Sequence, residues 1–394
     1  MRTLKAGVLA RVLARFAEGL LVVAVAGCAT APQPVLPAPP LLDAHFAPPA
    51  ELPDASAVFT LSVAMRDYAD RELRSVMRDA NPRRALIDAL YGKRLRLAYD
   101  ASTTRNASEA FAAQSGNCLS LVIMTASFAR HLGMPVSFQS VQTDDFYSRS
   151  GGLTLVSGHV NLVLDAPPMR QGFARSDNTS LTIDFLPQEE LRGMSTRPLD
   201  ATTIVAMYFN NRAAELLAAG RPADAYWFAR AAVLHAPAFT SAVNTLGVIY
   251  SRAGQPAAAE EAFRHTLLSE PRNVATLSNL VQLLQRQDRQ AEADTLALRL
   301  EQLQPVAPFR NFNLGRAAMA AGDFAQARDL FLRELRLQPY QDEVHFWAAQ
   351  AYWQLGRPRD AMRHLSRALD NSSSPDSHDR YAAKLEAVRH APVQ

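Results

Sequence analysis

The sequence is poor in cysteine: only Cys28 and Cys118 occur among its 394 residues. This count excludes a small scaffold held together by several disulfides. His, Cys and Asp nowhere cluster with the spacing of metal ligands, so we predict neither a metal nor any other cofactor. A Gly-rich phosphate loop and a dinucleotide fingerprint are also missing, which excludes the common nucleotide-dependent enzymes.

The N-terminal region also lacks an apolar run long enough to span a membrane. GLLVVAVAG, at residues 19–27, is shorter than the roughly 20 apolar residues that a spanning helix needs. Four basic residues precede it, and small residues followed by Cys28 end it. This order is typical of a cleaved signal peptide, so we predict that residues 1–27 are removed and contribute nothing to the fold.

The end of this segment, Val25-Ala26-Gly27-Cys28, resembles the lipobox of bacterial lipoproteins. The resemblance implies cleavage before Cys28 and attachment of a diacylglyceryl group to its sulfur, which would anchor the protein in a membrane. Ala29 stands where an aspartate favours the inner membrane in lipoproteins of Gram-negative bacteria. The implied location is therefore the outer membrane, facing the periplasm. The alternative is an ordinary signal peptide with an incidental Cys28.

The formal net charge is small, +3 for the whole chain. Loss of the four basic residues and of Glu18 with the signal peptide would bring it to zero. A chain without a basic surplus has no electrostatic footprint for nucleic acid, so we predict no nucleic-acid partner. Lipidation of Cys28 would leave Cys118 as the only free thiol, so no structural disulfide is expected.

Proline is concentrated at the beginning of the mature chain, with eight of the 24 prolines between residues 29 and 53. We predict that residues 28–54 form a semi-rigid linker that starts at the lipidated cysteine. Apolar residues then recur at helical spacing, and three later segments are rich in β-branched and aromatic residues: FQSVQ, GHVNLVLD and LTIDFLP. Helices followed by antiparallel strands predict an α+β domain over residues 55–200.

From about residue 204 the sequence is rich in Ala, Leu and charged residues, with prolines spaced 34 residues apart at Pro237, Pro271, Pro305 and Pro339. This period, with its small and aromatic residues, resembles the tetratricopeptide repeat. The resemblance implies about five repeats over residues 204–370, stacked as an all-α solenoid that binds a protein or peptide partner. The third repeat is the weakest, because Val281 and Asp288 replace its small residue and its turn glycine. Residues 371–394 remain as a C-terminal tail.

Cys118 follows a Gly-Asn turn and precedes the apolar run 119–132, which we predict to be a buried helix. A helix N-terminus favours an anion, and the thiolate is the nucleophilic form of cysteine. Such a nucleophile needs a base and a third group that orients the base. His159 and Asp184, on two successive predicted strands, have the chemistry for these two roles.

Together these residues resemble the transglutaminase-like superfamily of papain-type cysteine enzymes. The elements that carry the resemblance are Gly116 and Cys118, Arg130 to Pro135 at the helix end, His159, and Asp184 with Pro187. It covers roughly residues 95–190 and implies a transglutaminase-like α+β fold and acyl transfer through a thioester. Cys118 would be the nucleophile, His159 the general base and acid, and Asp184 the residue that orients the imidazole.

On this resemblance, water as the acceptor makes the protein a protease or amidase, and an amine makes it an acyltransferase. The oxyanion would be bound by the Cys118 backbone N–H and a second donor, for which Gln114 is the candidate. Leu119-Ser120 differs from the aromatic or charged residue that often follows the cysteine in this family. The substrate class therefore stays open.

Three alternatives stand beside this interpretation. Asp165 is the rival of Asp184 for the third position, although it ends its strand before Ala-Pro-Pro and is typical of a turn. His131 lies about three helical turns from Cys118, so it is expected to cap the helix end and not to act as the base. The rival function is a catalytically inactive scaffold that mediates protein–protein interactions through its repeats.

Overall fold

The computed structural model describes residues 39–390, apart from 78–80, 93–94, 96, 101–102, 151–152, 166–179, 186–194, 304–309, 338 and 373–374, and without the side chains of 142–158 and 375–376. The predicted signal peptide and the lipidation site Cys28 lie outside this part of the chain. Among the helices that are described, none is both long and apolar enough to cross a membrane.

The first half of the described chain mixes helices and strands. Helix α1 runs over Val63–Tyr68 and continues through a π-helical turn, Ala69–Leu73, into Arg74–Val76. The elements that follow are α2 (Pro82–Tyr91), β1 (Ala98–Tyr99), α3 (Ala107–Ala113), β2 (Ser115–Gly116), α4 (Cys118–His131), β3 (Val136–Ser150), β4 (Leu153–Leu164), β5 (Leu181–Ile183) and β6 (Ser195–Leu199). Helix α4 matches the predicted helix 119–132 within one residue at each end, and β3, β4 and β5 fall on the three segments predicted as strands.

Four of the strands form an antiparallel sheet in the order β5-β4-β3-β6, while β1 and β2 form a separate short parallel pair. Strand β4 is one of the two inner strands, and its residues 159–164 are buried on both faces. Val160 and Leu162 point to one face and His159 and Asn161 to the other, because side chains alternate along a strand. Helix α4 packs against β4. The sheet therefore places two polar side chains in a buried position.

From residue 201 onwards, the described chain is entirely helical. Five helical pairs follow one another: α5 (Ala201–Ala218) with α6 (Pro222–His235), α7 (Thr240–Arg252) with α8 (Pro256–Ser269), α9 (Val274–Arg286) with α10 (Gln290–Leu303), α11 (Arg310–Ala320) with α12 (Phe324–Leu337), and α13 (Asp342–Gln354) with α14 (Pro358–Asp370). A further helix, α15 (Pro375–His390), occupies most of the predicted tail and packs on α14. The core of the α+β region continues without a break into the first three pairs.

The repeats pack through pairs of positions in which a large side chain faces a small residue. A Cβ atom added at Gly247 would lie 2.6 Å from Phe263 Cε1, and one added at Gly315 would lie 2.6 Å from Phe331 Cε1. One repeat later than the first of these pairs, the same positions hold Val281 and Ala297. A larger residue at the first position and a smaller one at the second roughly conserve the combined volume, so the third repeat keeps its helical pair although it departs from the pattern.

The turn inside the third repeat shows a second departure. Glycines with positive φ close the turns of the other four repeats: Gly220 (74°), Gly254 (72°), Gly322 (80°) and Gly356 (69°). Asp288 takes this place in the third repeat with a φ of 59°. Aspartate tolerates the left-handed region better than most residues, because its short polar side chain can bond locally. The turn geometry is thus kept without glycine.

The Pro-rich segment is bound to the repeats over residues 39–50, which we call the strap. Phe46 is buried and stacks on Tyr226 with ring centroids 4.0 Å apart, and Asp43 accepts hydrogen bonds from Tyr226 Oη (2.5 Å) and Arg230 Nε (2.8 Å). Three more hydrogen bonds join Tyr250 Oη to the Pro40 carbonyl, Trp227 Nε1 to the Ala47 carbonyl, and the Ala50 N–H to Asp224. Within the predicted linker, an acidic and an aromatic side chain between the prolines therefore find partners on the repeats.

We predict that Gly247→Val destabilises the protein by about 1–3 kcal/mol, because the new side chain overpacks against Phe263. Phe263→Ala alone should cost about 3–5 kcal/mol through the cavity that it leaves. The double variant recreates the Val281/Ala297 combination and should cost clearly less than the sum of the single variants. Denaturant unfolding of the four proteins checks this double-mutant cycle.

Gly315→Val combined with Phe263→Ala is the matched control, because the two positions belong to different repeats. Its cost should equal the sum of the single costs. Additive behaviour of Gly247→Val with Phe263→Ala would contradict the account of volume exchange in the third repeat.

Candidate active site

The start of helix α4 is fixed from inside the protein. Asn117 is the N-cap residue and is buried; its Oδ1 accepts hydrogen bonds from the Ser120 N–H (2.9 Å) and from Ser120 Oγ (2.8 Å). Its Nδ2 donates to Thr104 Oγ1 at 2.8 Å. Every polar atom of the Asn117 amide is thus engaged. Cys118 is therefore held as the first residue of the helix, where the backbone N–H groups favour negative charge.

The body and the end of α4 anchor this start. All residues from Leu119 to Ala129 are buried, so the helix is a core element on all of its faces. The chain leaves the helix through Gly133, whose φ of 76° allows the Met134 N–H to reach the Ala129 carbonyl at 2.9 Å. His131 Nε2 lies 3.1 Å from Asp70 Oδ1, so His131 ties the helix end to α1.

His159 and Asp184 meet next to the sheet. His159 lies on β4, and Asp184 follows the last residue of β5, which pairs with β4. The His159 Nε2–H donates to Asp184 Oδ1 at 2.5 Å, and both side chains are largely shielded from solvent (4% and 11% exposed). The Cys118 side chain lies close enough to His159 to interact with its imidazole. The His159 imidazole thus lies between a thiol and a carboxylate.

The electrostatics of the site favour a charged imidazole. Burial alone would lower the pKa of His159, but the hydrogen bond to Asp184, the hydrogen bond to Cys118 and the charges of both partners raise that pKa to about 9. At neutral pH His159 is therefore an imidazolium between two acidic groups.

Asn161 is a member of the site that the residue pattern did not single out. It lies two positions after His159 on the same face of β4, and its Nδ2 donates to Asp184 Oδ2 at 3.3 Å. The Asp184 carboxylate is thus held by two neighbouring side chains of one strand. Asn161 Oδ1 is buried and has no hydrogen-bond partner among the described residues. A polar residue within an apolar strand is the sequence signal that marks Asn161.

The remaining candidates lie elsewhere. The carboxylate of Asp165 accepts a hydrogen bond from Ser137 Oγ at 3.2 Å, so of the two aspartates it is Asp184 that bonds to His159. Gln114 is the exposed C-cap of α3 with a φ of 50°, and its role as second oxyanion donor stays a prediction. Within the described part of the chain, no three metal-ligating side chains come close enough to hold an ion.

Comparison with known proteins identifies the repeats. The family model of the tetratricopeptide repeat matches residues 312–376. This match, together with the succession of helical pairs, shows that the C-terminal region consists of tetratricopeptide repeats, which generally mediate the binding of protein partners. No curated protein matches the sequence.

Solved structures of repeat proteins align with about half of the chain. The Pseudomonas aeruginosa pilF protein shows 22% identity over 48% of this chain and 94% of its own, with a TM-score of 0.28. A thermophilic TPR protein of Thermus thermophilus shows 21% identity over 46% and 99%, with a TM-score of 0.29. MamA of strain AMB-1 shows 27% identity over 44% and 96%, with a TM-score of 0.24.

We predict a pH-dependent loss of stability in Asp184→Asn. A histidine whose folded pKa is raised from 6.5 to about 9 stabilises the fold fully below pH 6.5, and this contribution is lost as the pH rises through 9. The full pKa shift of His159 corresponds to ~3 kcal/mol of unfolding free energy, and the Asp184 carboxylate contributes a part of it. The difference in unfolding free energy between wild type and Asp184→Asn should therefore be largest near pH 6 and shrink towards pH 9.5.

Asp165→Asn is the control for this measurement, because its carboxylate bonds to Ser137. Its difference from the wild type should stay constant between pH 6 and pH 9.5. A constant difference for Asp184→Asn as well would show that the carboxylate does not hold the proton on His159.

Proposed function

We propose that the protein is a cysteine enzyme that transfers acyl groups through a thioester on Cys118: a transglutaminase-like protease, amidase or acyltransferase. The observation that carries the proposal is the hydrogen-bonded pair His159–Asp184 within reach of a thiol that begins a helix. The three residues come from α4, β4 and the end of β5. Residues from separate elements that meet in the order of nucleophile, base and orienting acid support catalysis more strongly than a lone core cysteine does.

The chemistry proceeds in balanced steps. With the thiol proton already held on the His159 imidazolium, the Cys118 sulfur attacks a substrate carbonyl carbon to form a tetrahedral oxyanion. The Cys118 backbone N–H at the helix start is placed to bind that oxyanion. His159 then gives its proton to the leaving amine as the carbon–nitrogen bond breaks, which leaves a thioester. Water or a second amine loses a proton to His159 and attacks the thioester, and the carbon–sulfur bond breaks to release the Cys118 sulfur with the proton again on His159.

Asp184 stays ionised throughout this cycle. Its hydrogen bond fixes a proton on His159 Nε2, which leaves the opposite ring nitrogen to exchange a proton with the reacting groups. Asn161 holds the second carboxylate oxygen, which stops the carboxylate from rotating away from the imidazole. These two contacts make the acid an orienting group and not a proton acceptor.

The repeats bind the partner or substrate protein. A groove of about 540 Å³ lies between α11, α13 and α15, with Met319, Phe346 and Trp347 among its apolar lining residues. The Arg316 guanidinium stacks on Trp347 at 4.0 Å from the ring centroid, and Arg380 lies 5.3 Å from the ring centroid of Phe346. Apolar walls with cations at the rim favour a segment that carries both aromatic or aliphatic and acidic side chains.

The lipobox resemblance adds a location to the proposal. Cys28 would carry the lipid, and the enzyme would face the periplasm from the outer membrane. Cys28→Ser should then release the protein from the membrane fraction into the soluble fraction. Continued sedimentation of Cys28→Ser with membranes, after a high-salt wash, would contradict the anchor.

The catalytic proposal predicts a reactive thiol. Cys118 is partly exposed, so a small neutral reagent such as iodoacetamide can reach it. At pH 7 we expect it to be alkylated at least ~10-fold faster than a cysteine in an unstructured peptide, because a neighbouring histidine and the helix start activate the sulfur as a nucleophile. His159→Ala should bring the rate down to that of the peptide. Rates are followed by intact mass with the protein in its Cys28→Ser form, so that Cys118 is the only thiol.

His131→Ala is the matched control, because this histidine lies at the far end of the same helix and contacts Asp70. It should leave the alkylation rate unchanged. The alternative function is a scaffold in which the triad residues only pack, and it predicts a wild-type rate no higher than that of the peptide. That result, unaffected by His159→Ala, would overturn the enzymatic proposal.

A further inference from the structure

We propose that Glu215, in the first helix of the repeats, is a positioning residue for Cys118. The inference rests on the proposed function of Cys118 as a nucleophile. It makes the first repeat helix, α5, part of the catalytic unit, in addition to any role of the repeats in binding a partner. Its basis is a short series of hydrogen bonds that begins on α5 and ends at the N-cap of α4.

The first contact joins the repeats to the loop before α3. Glu215 Oε1 accepts a hydrogen bond from the Thr104 backbone N–H at 2.6 Å. Glu215 Oε2 accepts from Arg212 Nη1 at 2.7 Å, so both carboxylate oxygens are engaged. The Thr104 side chain is buried, and its N–H would lose a charged acceptor if Glu215 were removed. The carboxylate thus holds the backbone at residue 104 in one place.

The second contact joins this loop to the helix start. Thr104 Oγ1 accepts from Asn117 Nδ2 at 2.8 Å, and Asn117 Oδ1 caps the helix through Ser120. The neighbouring residue acts on the same helix, because the Arg105 N–H donates to Ser120 Oγ at 2.8 Å. The loop therefore holds the first turn of α4 at two points. Cys118 lies between Asn117 and Ser120, so its position depends on both.

A third contact ties the loop to the β1–β2 pair. Arg105 Nη1 pairs with Asp100 Oδ2 at 2.9 Å, and the Asp100 N–H donates to the Gly116 carbonyl at 3.1 Å. Gly116 has no space for a side chain, since an added Cβ would lie 2.7 Å from Ser120 Cβ. The segment before Cys118 is thus tightly packed at Gly116, and at Asn117 it is held by Thr104, which in turn is bound to Glu215. Small displacements of the loop are transmitted to the cysteine.

In this arrangement Glu215 serves as a hydrogen-bond acceptor for the Thr104 N–H, and its negative charge matters less. Burial raises the pKa of Glu215, although the hydrogen bond from Thr104 and the charge of Arg212 oppose the shift. A glutamine at this position keeps an Oε1 acceptor for the Thr104 N–H, whereas a leucine of similar volume removes it. The two substitutions therefore separate the hydrogen bond from packing.

The test compares Glu215→Gln, Glu215→Leu and Arg212→Met in the Cys28→Ser chain. Iodoacetamide alkylation of Cys118 at pH 7 should be slower by roughly tenfold in Glu215→Leu, because a thiol displaced from His159 loses the group that activates it. Glu215→Gln should alkylate within about twofold of wild type. Arg212→Met is the control for loss of charge on the same helix, and its alkylation rate should also stay within about twofold of wild type, because it leaves the Thr104 contact in place.

Hydrogen exchange of the Thr104 amide is the second readout, and it does not depend on thiol chemistry. Protection should fall in Glu215→Leu and stay in Glu215→Gln. A lower melting temperature of Glu215→Leu with unchanged alkylation and Thr104 exchange would make Glu215 a packing residue and overturn the inference. A slow wild-type thiol would instead overturn the proposed function, so the two failures are distinguished by different measurements.

Discussion

The start of helix α4 is the constraint on which the site depends. An N-terminal helix end offers backbone N–H groups without intrahelical partners, and it stabilises negative charge only if the charged atom stays within the first turn. Asn117 secures this by capping the helix with its oxygen and anchoring itself to Thr104 with its nitrogen. The buried body of the helix, from Leu119 to Ala129, prevents the whole element from shifting.

Strand β4 supplies the second half of the site, because its residues 159–164 are buried on both faces. One face of β4 carries Val160 and Leu162 into the core, and the other carries His159 and Asn161 towards Asp184. An ionic pair in such surroundings is stable only when its members are hydrogen-bonded, which Asp184 achieves through two side chains of the neighbouring strand. The repeats also support the site, because their core is continuous with that of the α+β region and Glu215 accepts a hydrogen bond from Thr104.

The sequence predicts those features that local chemistry determines. An apolar run after Gly-Asn predicts α4, β-branched segments predict β3 to β5, and a period of 34 residues predicts the helical pairs. The sequence favours Asp184 over Asp165 because Asp165 stands before a proline turn, and it is Asp184 that bonds to His159. Contacts between distant segments leave no such pattern: Thr104 and Glu215 are 111 residues apart, and the strap residue Asp43 is 187 residues from Arg230. Proline content in the strap indicates an extended chain but not the surface that binds it.

The central claim is that Cys118, His159 and Asp184 act as one charged unit. Titration of the His159 ring by NMR, with the imidazole carbon labelled, measures this directly. The account predicts a pKa of about 9 in the wild type, and a lower value in Cys118→Ser, where no thiolate can form beside the ring. A wild-type pKa near the ordinary 6.5, unchanged by Cys118→Ser, would contradict the account.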